Sequence, residues 1–231
     1  MNRNLDIGLS VASTLFRGTA GLNVGPLGPR PVQPLELYEF ENCPFCRKVR
    51  EALSALDLEA RILPCPKQGE RYRPEAVKRG GRAMFPYLVD PNTGTEMYES
   101  DEIIDYLYEN YGAGSPPLLL KLGPVTNLSS SLASAARGTL GMRREPSKAP
   151  EQPLELWSFE ASPFCRIARE KLCSLELPYL LHNVAKGSPS REAFVERSGK
   201  MQVPWLRDPN TGTEMFESDE IVAYLAETYG A

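Results

Sequence analysis

The sequence of 231 residues contains a single histidine and five cysteines, and this scarcity excludes several kinds of protein. One histidine cannot build a histidine-rich metal site, and an odd, sparse set of cysteines does not match the disulfide framework of a small secreted protein. A reducing compartment with catalytic or buried thiols fits this cysteine usage better. The N-terminal residues also lack the charged-then-apolar order of a secretory signal.

The chain has neither a large charge excess nor a long apolar run. Its formal net charge is −4, so composition gives no electrostatic reason to expect nucleic acid or an anionic membrane as a partner. No apolar segment approaches the roughly 18–20 residues that a membrane-spanning helix needs. The 42% hydrophobic and 24% charged residues are typical of a globular protein.

The chain does contain an internal repeat, in which one sequence unit occurs twice. Residues 34–37 recur as 153–156, Cys-Pro-Phe-Cys at 43–46 recurs as Ser-Pro-Phe-Cys at 162–165, and residues 90–103 recur at 208–221. A leader repeats as well, since Arg-Gly-Thr-Ala-Gly at 17–21 is matched by Arg-Gly-Thr-Leu-Gly at 137–141. The duplication therefore includes a leader, with a helix expected at 5–16, before each unit.

Hydrophobic periodicity and turn residues predict the order β-α-β-α-β-β-α in each unit. The first unit is expected to have strands at 35–40, 58–64, 87–90 and 95–98 and helices at 44–56, 74–80 and 100–111. The second is expected to have strands at 154–159, 178–184, 205–208 and 213–216 and helices at 163–175, 190–198 and 218–229. A β-α-β crossover makes the first strands parallel, and the Asp-Pro-Asn-Thr-Gly turn makes the last pair antiparallel. Each unit is therefore predicted to be an α/β domain with a four-stranded mixed sheet flanked by helices.

The repeats also define the expected domain boundaries. A leader helix and extended segment occupy 1–33, a first domain 34–112, a linker with a second leader helix 113–152, and a second domain 153–231. Each unit has only about 80 residues and a modest core. We therefore expect the units to pack on each other, or the leader helices to cover their exposed faces.

The Cys-Pro-Phe-Cys segment after the first strand is the strongest candidate site. A cysteine at the first turn of a helix meets free backbone N–H groups and the positive end of the helix dipole, which lower its pKa. Cys43 is therefore the expected nucleophile, supported by the nearby charges of Arg47 and Lys48. Cys46, one turn further on, is the expected resolving thiol. A pair of inert or structural thiols is the alternative.

The other thiols and the histidine provide less evidence of a functional role. Cys165 matches the shielded resolving position of the second unit, and Cys173 lies late in a helical pattern, so both are expected to be buried. Cys65, in a charged loop, is a candidate third redox thiol. His182 is assigned no role, and no metal site is expected from the protein's own side chains.

These motifs, in this order, resemble the thioredoxin superfamily in its glutaredoxin and glutathione-transferase N-terminal branch. The segment 43–46 is similar to the glutaredoxin Cys-Pro-[Tyr/Phe]-Cys site, and Phe85-Pro86 and Val203-Pro204 stand where that family has a cis-proline. Glu-Ser at 99–100 and at 217–218 resembles the pair that holds the γ-glutamyl end of glutathione in transferases. The resemblance implies two tandem thioredoxin-fold domains.

The tandem arrangement also resembles a green-lineage family of plastid thioredoxin-like proteins. Those proteins carry two transferase-type N-terminal domains and lack the all-helical transferase C-terminal domain. The resemblance implies a chloroplast location and makes docking to a larger plastid assembly one expected partnership.

The resemblance further implies glutathione as a cosubstrate bound in one or both units. The residues implied are Phe45, Phe85, Pro86, Glu99, Ser100 and Asp101 in the first unit, and Ser162, Val203, Pro204, Glu217 and Ser218 in the second. Plainer alternatives stay open: the serines after the glutamates are good N-caps, and prolines are tolerated where a strand begins. The second unit can also be a degenerate copy kept for packing or partner binding. A [2Fe–2S] cluster shared between two chains is a further option.

Three functions remain at this point. The first is a glutathione- or thioredoxin-linked thiol-disulfide oxidoreductase, in which Cys43 and Cys46 act on glutathione or on a disulfide-bearing protein. The second is a glutathione-transferase-like enzyme, which the absence of a helical substrate domain disfavours. The third is a non-enzymatic tandem docking module. The redox hypothesis requires that Cys43 be open to solvent and that the peptide bond before Pro86 be cis.

Overall fold

The computed structural model describes residues 3–121 and 124–231. Within them the helices are α1 Arg3–Leu15, α2 Pro44–Ala55, α3 Tyr72–Gly80, α4 Ser100–Tyr111, α5 Leu118–Lys121, α6 Pro124–Ala135, α7 Pro163–Ser174, α8 Arg191–Ser198 and α9 Ser218–Tyr229. The strands are β1 Leu35–Glu39, β2 Ala60–Pro64, β3 Tyr87–Asp90, β4 Thr95–Met97, β5 Leu154–Ser158, β6 Tyr179–Asn183, β7 Trp205–Asp208 and β8 Thr213–Phe216. Each repeat has the predicted β-α-β-α-β-β-α order, and α1 and α6 are the two leader helices. Across these residues the helices are all too short or too polar to span a bilayer.

The repeated Asp-Pro-Asn-Thr-Gly segment attaches the last helix of each repeat to the sheet. Asp90, at the end of β3, accepts hydrogen bonds from Tyr106 at 2.7 Å and from Tyr111, both on α4. Burial opposes ionisation of Asp90, but these hydroxyl donors outweigh it and hold its pKa below the ordinary value. Asp208 accepts the same bonds from Tyr224 and Tyr229 on α9.

All eight strands form one sheet, in the order β4-β3-β1-β2-β6-β5-β7-β8. Within each repeat the first two strands are parallel and the others antiparallel. The repeats join where β2 pairs antiparallel with β6, with Ala60 opposite Leu181 and Ile62 opposite Tyr179. An isolated repeat would leave an open strand edge at this position. The pairing removes both edges and merges the apolar cores of the two repeats into one buried cluster.

Each leader helix packs on the site-bearing helix of the other repeat. Helix α1 contacts α7, and α6 contacts α2. The hydroxyl of Ser10 donates to the carbonyl of Pro163 at 2.8 Å, and the hydroxyl of Ser130 donates to the carbonyl of Pro44 at 2.6 Å. The leaders are thus exchanged, and each half of the molecule is completed by the other.

A cluster of buried charges lies between the repeats. Arg50 of α2 donates to Glu160 at 2.9 Å, and Arg169 of α7 donates to Glu160 at 2.7 Å and to both oxygens of Glu41 at 3.0 and 3.1 Å. All four side chains are 2% exposed or less. Each carboxylate follows the first strand of one repeat and is bound by the arginine of the other. Their pairing therefore sets how the repeats face each other.

Glu39 is an acid of this cluster that has no counterpart in the second repeat, where Ser158 stands. It ends β1 and accepts a hydrogen bond from Arg50. Burial raises the pKa of Glu39 to about 7 against the opposing charge of Arg50, and the neighbouring Glu41 adds to the rise.

The variant Glu160→Ala should lose about 3–5 kcal/mol of unfolding free energy, because it leaves Arg50 and Arg169 buried without their shared carboxylate. Urea unfolding followed by tryptophan fluorescence measures this loss. Glu145→Ala is the matched control, since Glu145 is half exposed in its pair with Lys171 and such pairs contribute about 0–1 kcal/mol. Equal losses in the two variants would contradict the role given to the buried cluster.

The variant Glu39→Gln should flatten the pH dependence of stability between about pH 4.5 and pH 7. The pKa of Glu39 rises from 4.5 to about 7 on folding, so its contribution is complete below pH 4.5 and is lost as the pH rises to 7. A single group changes stability by at most about 1.4 kcal/mol per pH unit. The prediction is tested by measuring the midpoint of urea unfolding for wild type and variant at four pH values in this range. A stability difference that stays constant with pH would contradict the prediction.

Candidate functional site

Cys43 lies at the N-terminus of α2, as the sequence predicts. It occupies the N-cap position with φ −80° and ψ 122°, and Pro44 begins the helix. Its Sγ accepts the backbone N–H of Cys46 at 3.2 Å and lies 3.9 Å from the carbonyl oxygen of Phe85. The sulfur therefore faces both the free end of a helix and the residue that precedes Pro86.

The peptide bonds Phe85–Pro86 and Val203–Pro204 are both cis. The cis prediction is confirmed in both repeats. Each bond directly precedes the strand that pairs with the first strand of its repeat, β3 or β7. This pairing brings the peptide to the edge where the site-bearing helix begins.

The two thiols of the first repeat differ in acidity. Burial opposes ionisation of Cys43, but hydrogen bonds from the thiol and backbone of Cys46 and from the backbone of Phe45 outweigh it and lower the pKa of Cys43. Burial and the adjacent Cys43 raise the pKa of Cys46 well above the ordinary value. Both are free thiols. The pair has the asymmetry that a nucleophile and a resolving thiol need.

The expectation that Cys43 is open to solvent is wrong in this structure, because Cys43 is only 3% exposed. Phe85 packs edge-to-face on Phe40 with ring centroids 6.3 Å apart, and both rings belong to the apolar cluster that contains Cys43. The guanidinium of Arg73 lies 4.7 Å above the Phe85 ring. Cys43 is therefore buried within this cluster.

The expected support of the Cys43 thiolate by two neighbouring cations is also wrong. Arg47 donates to the hydroxyl of Ser13 on α1 at 3.0 Å. Lys48 pairs with Asp101, a predicted glutathione-binding residue, and donates to Asn127 at 3.0 Å. Leader packing and α4 therefore engage both cations, and the lowered pKa of Cys43 comes from hydrogen bonds at the helix end.

The predicted N-cap serines each lie one position inside the helix. The N-cap positions belong to Glu99 and Glu217, whose φ angles of 66° and 65° lie in the left-handed region. Neither glutamate side chain caps its helix. Ser100 and Ser218 are the first helical residues and are buried. A non-glycine residue with positive φ at the same place in both repeats stores backbone strain beside the site.

The second repeat keeps the same frame around Ser162. This serine is the N-cap of α7, and its Oγ accepts the backbone N–H of Cys165 at 3.2 Å. A cleft of about 630 Å³ opens here, within the range of small-molecule sites. Its lining residues are Leu22, Phe159, Ala161, Ser162, Pro163, Phe164, Arg191, Met201, Gln202, Val203, Pro204, Glu217 and Ser218. All five residues predicted for the second site therefore meet in one cleft.

The two sites differ at the residue before the cis-proline. Phe85 of the first repeat corresponds to Val203 of the second, so the edge-to-face pair that Phe85 forms with Phe40 has no equivalent beside Ser162. Ser162 is nevertheless buried, with 5% of its surface exposed. Arg73, stacked on Phe85, corresponds to Arg191, which donates to the carbonyls at the end of β6 and faces the cleft.

The remaining candidate residues are buried or packed against other side chains and do not line the cleft. Cys65, Cys165 and Cys173 are buried, and burial raises the pKa of Cys65 and of Cys173, which argues against Cys65 as a third redox thiol. His182 stacks on Trp157 with ring centroids 4.1 Å apart and bonds Glu59 at 2.6 Å. Within the described part of the chain, no three His, Cys, Asp or Glu side chains form a group able to hold a metal.

Sequence reasoning missed several residues of the cleft. Leu22, Phe159, Arg191, Met201 and Gln202 line it. They carry no motif, and Leu22 lies far from the second repeat in sequence. The one usable signal was the equivalence of Arg73 and Arg191 in the two repeats.

Comparisons with known proteins identify the domain family of the chain. No curated protein matches the chain at a significant level. A solved structure of a glutathione transferase from Bombyx mori is 31% identical over 37% of this chain and 39% of that chain, with a TM-score of 0.34. The family model of the glutathione S-transferase N-terminal domain matches residues 37–117 and again residues 156–231. Since these two matches cover more than half of the sequence, the chain belongs to the glutathione S-transferase N-terminal domain family and carries that thioredoxin-like domain twice.

Proposed function

We propose that the protein binds glutathione in the cleft of the second repeat. The observation that carries the proposal is the open cleft itself, in which Ser162, the Val203–Pro204 cis peptide and Ser218 line one space of about 630 Å³. The family match supplies the chemical class of the ligand. In the first repeat Phe85, which packs on Phe40, stands at the position of Val203.

Each part of the cleft suits one part of the tripeptide. The N-terminus of α7 favours a thiolate, and the Ser162 hydroxyl, which already accepts a backbone N–H, keeps its own proton free to donate to that sulfur. The N-terminus of α9 favours the γ-glutamyl carboxylate, with Ser218 as its first residue. Glu217, which accepts a hydrogen bond from Gln202, adds a carboxylate for the ligand's ammonium group.

A second candidate function, thiol-disulfide exchange at Cys43 and Cys46, is supported by the acidity difference between these thiols. The Cys43 thiolate would attack one sulfur of a mixed disulfide and release the other as a thiolate. Cys46, after losing its proton, would attack the Cys43 sulfur, release the bound thiol and leave a Cys43–Cys46 disulfide. A dithiol or two glutathione molecules would then return two electrons. Because Cys43 is buried, this function requires the apolar cluster around it to open.

Glutathione binding should occur at one site per chain and should weaken at least tenfold in Val203→Phe. A phenylalanine at 203 takes up space in the cleft, because Val203 lines it. Isothermal titration calorimetry with glutathione measures affinity and stoichiometry together. Val32→Phe makes the same substitution at a residue that is 94% exposed and should bind as wild type does. Wild type that takes up no glutathione would rule out the proposal.

Phe85→Val should make Cys43 at least tenfold faster to react with iodoacetamide, because it removes a large aromatic ring from the apolar cluster in which Cys43 is buried. The reaction should persist below the pH range of ordinary thiols, since the pKa of Cys43 is lowered. Mass spectrometry of the labelled peptide identifies the residue. Adding Cys43→Ser to Phe85→Val should abolish the labelling.

The variants Phe85→Val and Cys43→Ser also test thiol-disulfide exchange. Turnover of a glutathione mixed disulfide and of a protein disulfide should rise in Phe85→Val and disappear in Cys43→Ser. Turnover that survives Cys43→Ser would assign it to another residue. With neither glutathione binding nor turnover, the non-enzymatic docking module would be the function to pursue.

A further inference from the structure

The buried charges between the two repeats do not balance. Seven charged side chains around α2 and α7 lie near one another and are each 2% exposed or less. They are Arg47, Arg50, Arg166, Arg169, Glu39, Glu41 and Glu160. Four are cations and three are anions, so the cluster carries one positive charge more than its carboxylates neutralise. Burial raises the pKa of Glu39 to about 7, and protonation of Glu39 enlarges this excess.

Two further carboxylates beside the cluster are already bound by arginines of the leaders. Arg17 donates to both oxygens of Glu51 at 2.8 and 2.5 Å, and Arg137 donates to both oxygens of Glu170 at 2.7 and 2.6 Å. Asp6, the second partner of Arg137, is 23% exposed and therefore faces solvent in part. These pairs neutralise themselves and leave the excess of the cluster in place.

The excess charge lies on Arg47 and Arg166, which occupy equivalent positions in α2 and α7. In the described part of the chain, neither guanidinium donates a hydrogen bond to a carboxylate. Arg166 lies 3.9 Å from Oε1 of Glu160, beyond hydrogen-bond distance, and the other oxygen of that carboxylate is already shared by Arg50 and Arg169. Burial lowers the pKa of Arg166 to about 9, and the adjacent Arg47 adds to the fall.

Both guanidiniums meet at one turn of α1. Arg47 donates to the hydroxyl of Ser13 at 3.0 Å, and Arg166 donates to the hydroxyls of Ser10 and Thr14 at 3.2 and 3.1 Å. The Nε–H group of each arginine is buried and has no hydrogen-bond acceptor among the described residues. An arginine stays protonated in a protein, so both groups remain donors. Two buried cationic donors that converge without an acceptor indicate a bound anion.

We infer that Arg47 and Arg166 bind a small inorganic anion, of the size of chloride, where α2 and α7 meet α1. A single negative charge equals the excess of the cluster, and such an ion accepts hydrogen bonds from both Nε–H groups. A water molecule also accepts these bonds, but it leaves the positive charge uncompensated. The ion joins helices of both repeats to a leader, so its binding stabilises the arrangement in which the leaders are exchanged.

Urea unfolding of the full chain in sodium chloride and in sodium gluconate, at equal ionic strength, tests the inference. An ion that binds only the folded protein lowers the unfolding equilibrium constant by about tenfold for each tenfold rise in chloride well above its Kd. Gluconate, which is too large for a buried site, should have no such effect. Arg47→Met and Arg166→Met each restore the balance of charges and should abolish the chloride dependence. Arg61→Met is the matched control, since it removes the same group where the side chain is 45% exposed, and it should keep the dependence.

Crystals grown in sodium bromide locate the ion directly, because the anomalous scattering of bromine should give a peak in contact with both Nε atoms. Equal unfolding in chloride and gluconate would overturn the inference, whether or not bromide binds at the concentration used for the crystal. A bromide peak only elsewhere in the protein, or a chloride dependence that persists in folded Arg47→Met and Arg166→Met, would also overturn it. If neither variant folds, the chloride dependence of wild type and the position of the bromide together decide the matter.

Discussion

The pairing of β2 with β6 is the constraint on which the rest of the structure depends. It turns two small four-stranded sheets into one of eight strands and joins two modest apolar cores. The seam also brings Arg50 and Arg169 against carboxylates of the opposite repeat. Burying these ions costs desolvation free energy that only well-formed pairs offset. A shifted register would leave charges unpaired, so the ions select one arrangement of the repeats.

The exchanged leaders extend this dependence to the two sites. Because α1 packs on α7 and α6 on α2, each site-bearing helix is supported by the leader of the other repeat. The turns that follow α1 lead to the cleft of the second repeat and place Leu22 in its lining. The cleft therefore has a wall that the second repeat does not supply by itself.

Duplication left two copies of the same frame, which diverged at a few side chains. Both copies retain the cis peptide, the glutamate with positive φ and the N-cap that accepts a backbone N–H. The first copy keeps the Cys43 and Cys46 thiols with Phe85 before its cis-proline, whereas the second has Ser162 and Val203 at these positions and a cleft beside them. The two halves of the chain therefore present different chemical groups on the same frame.

The sequence by itself determined the local structure: the repeated strands and helices, the cis-prolines and the position of Cys43 at a helix end. These features depend on side-chain periodicity, proline geometry and turn residues, which act over a few neighbours in the chain. Only the tertiary structure decided that Cys43 is covered, that Arg47 and Lys48 bind elsewhere, and that the open cleft belongs to Ser162. The physical reason is that burial and charge pairing depend on groups distant in sequence, such as Phe85 in the cluster around Cys43 and Leu22 in the lining of the cleft at Ser162.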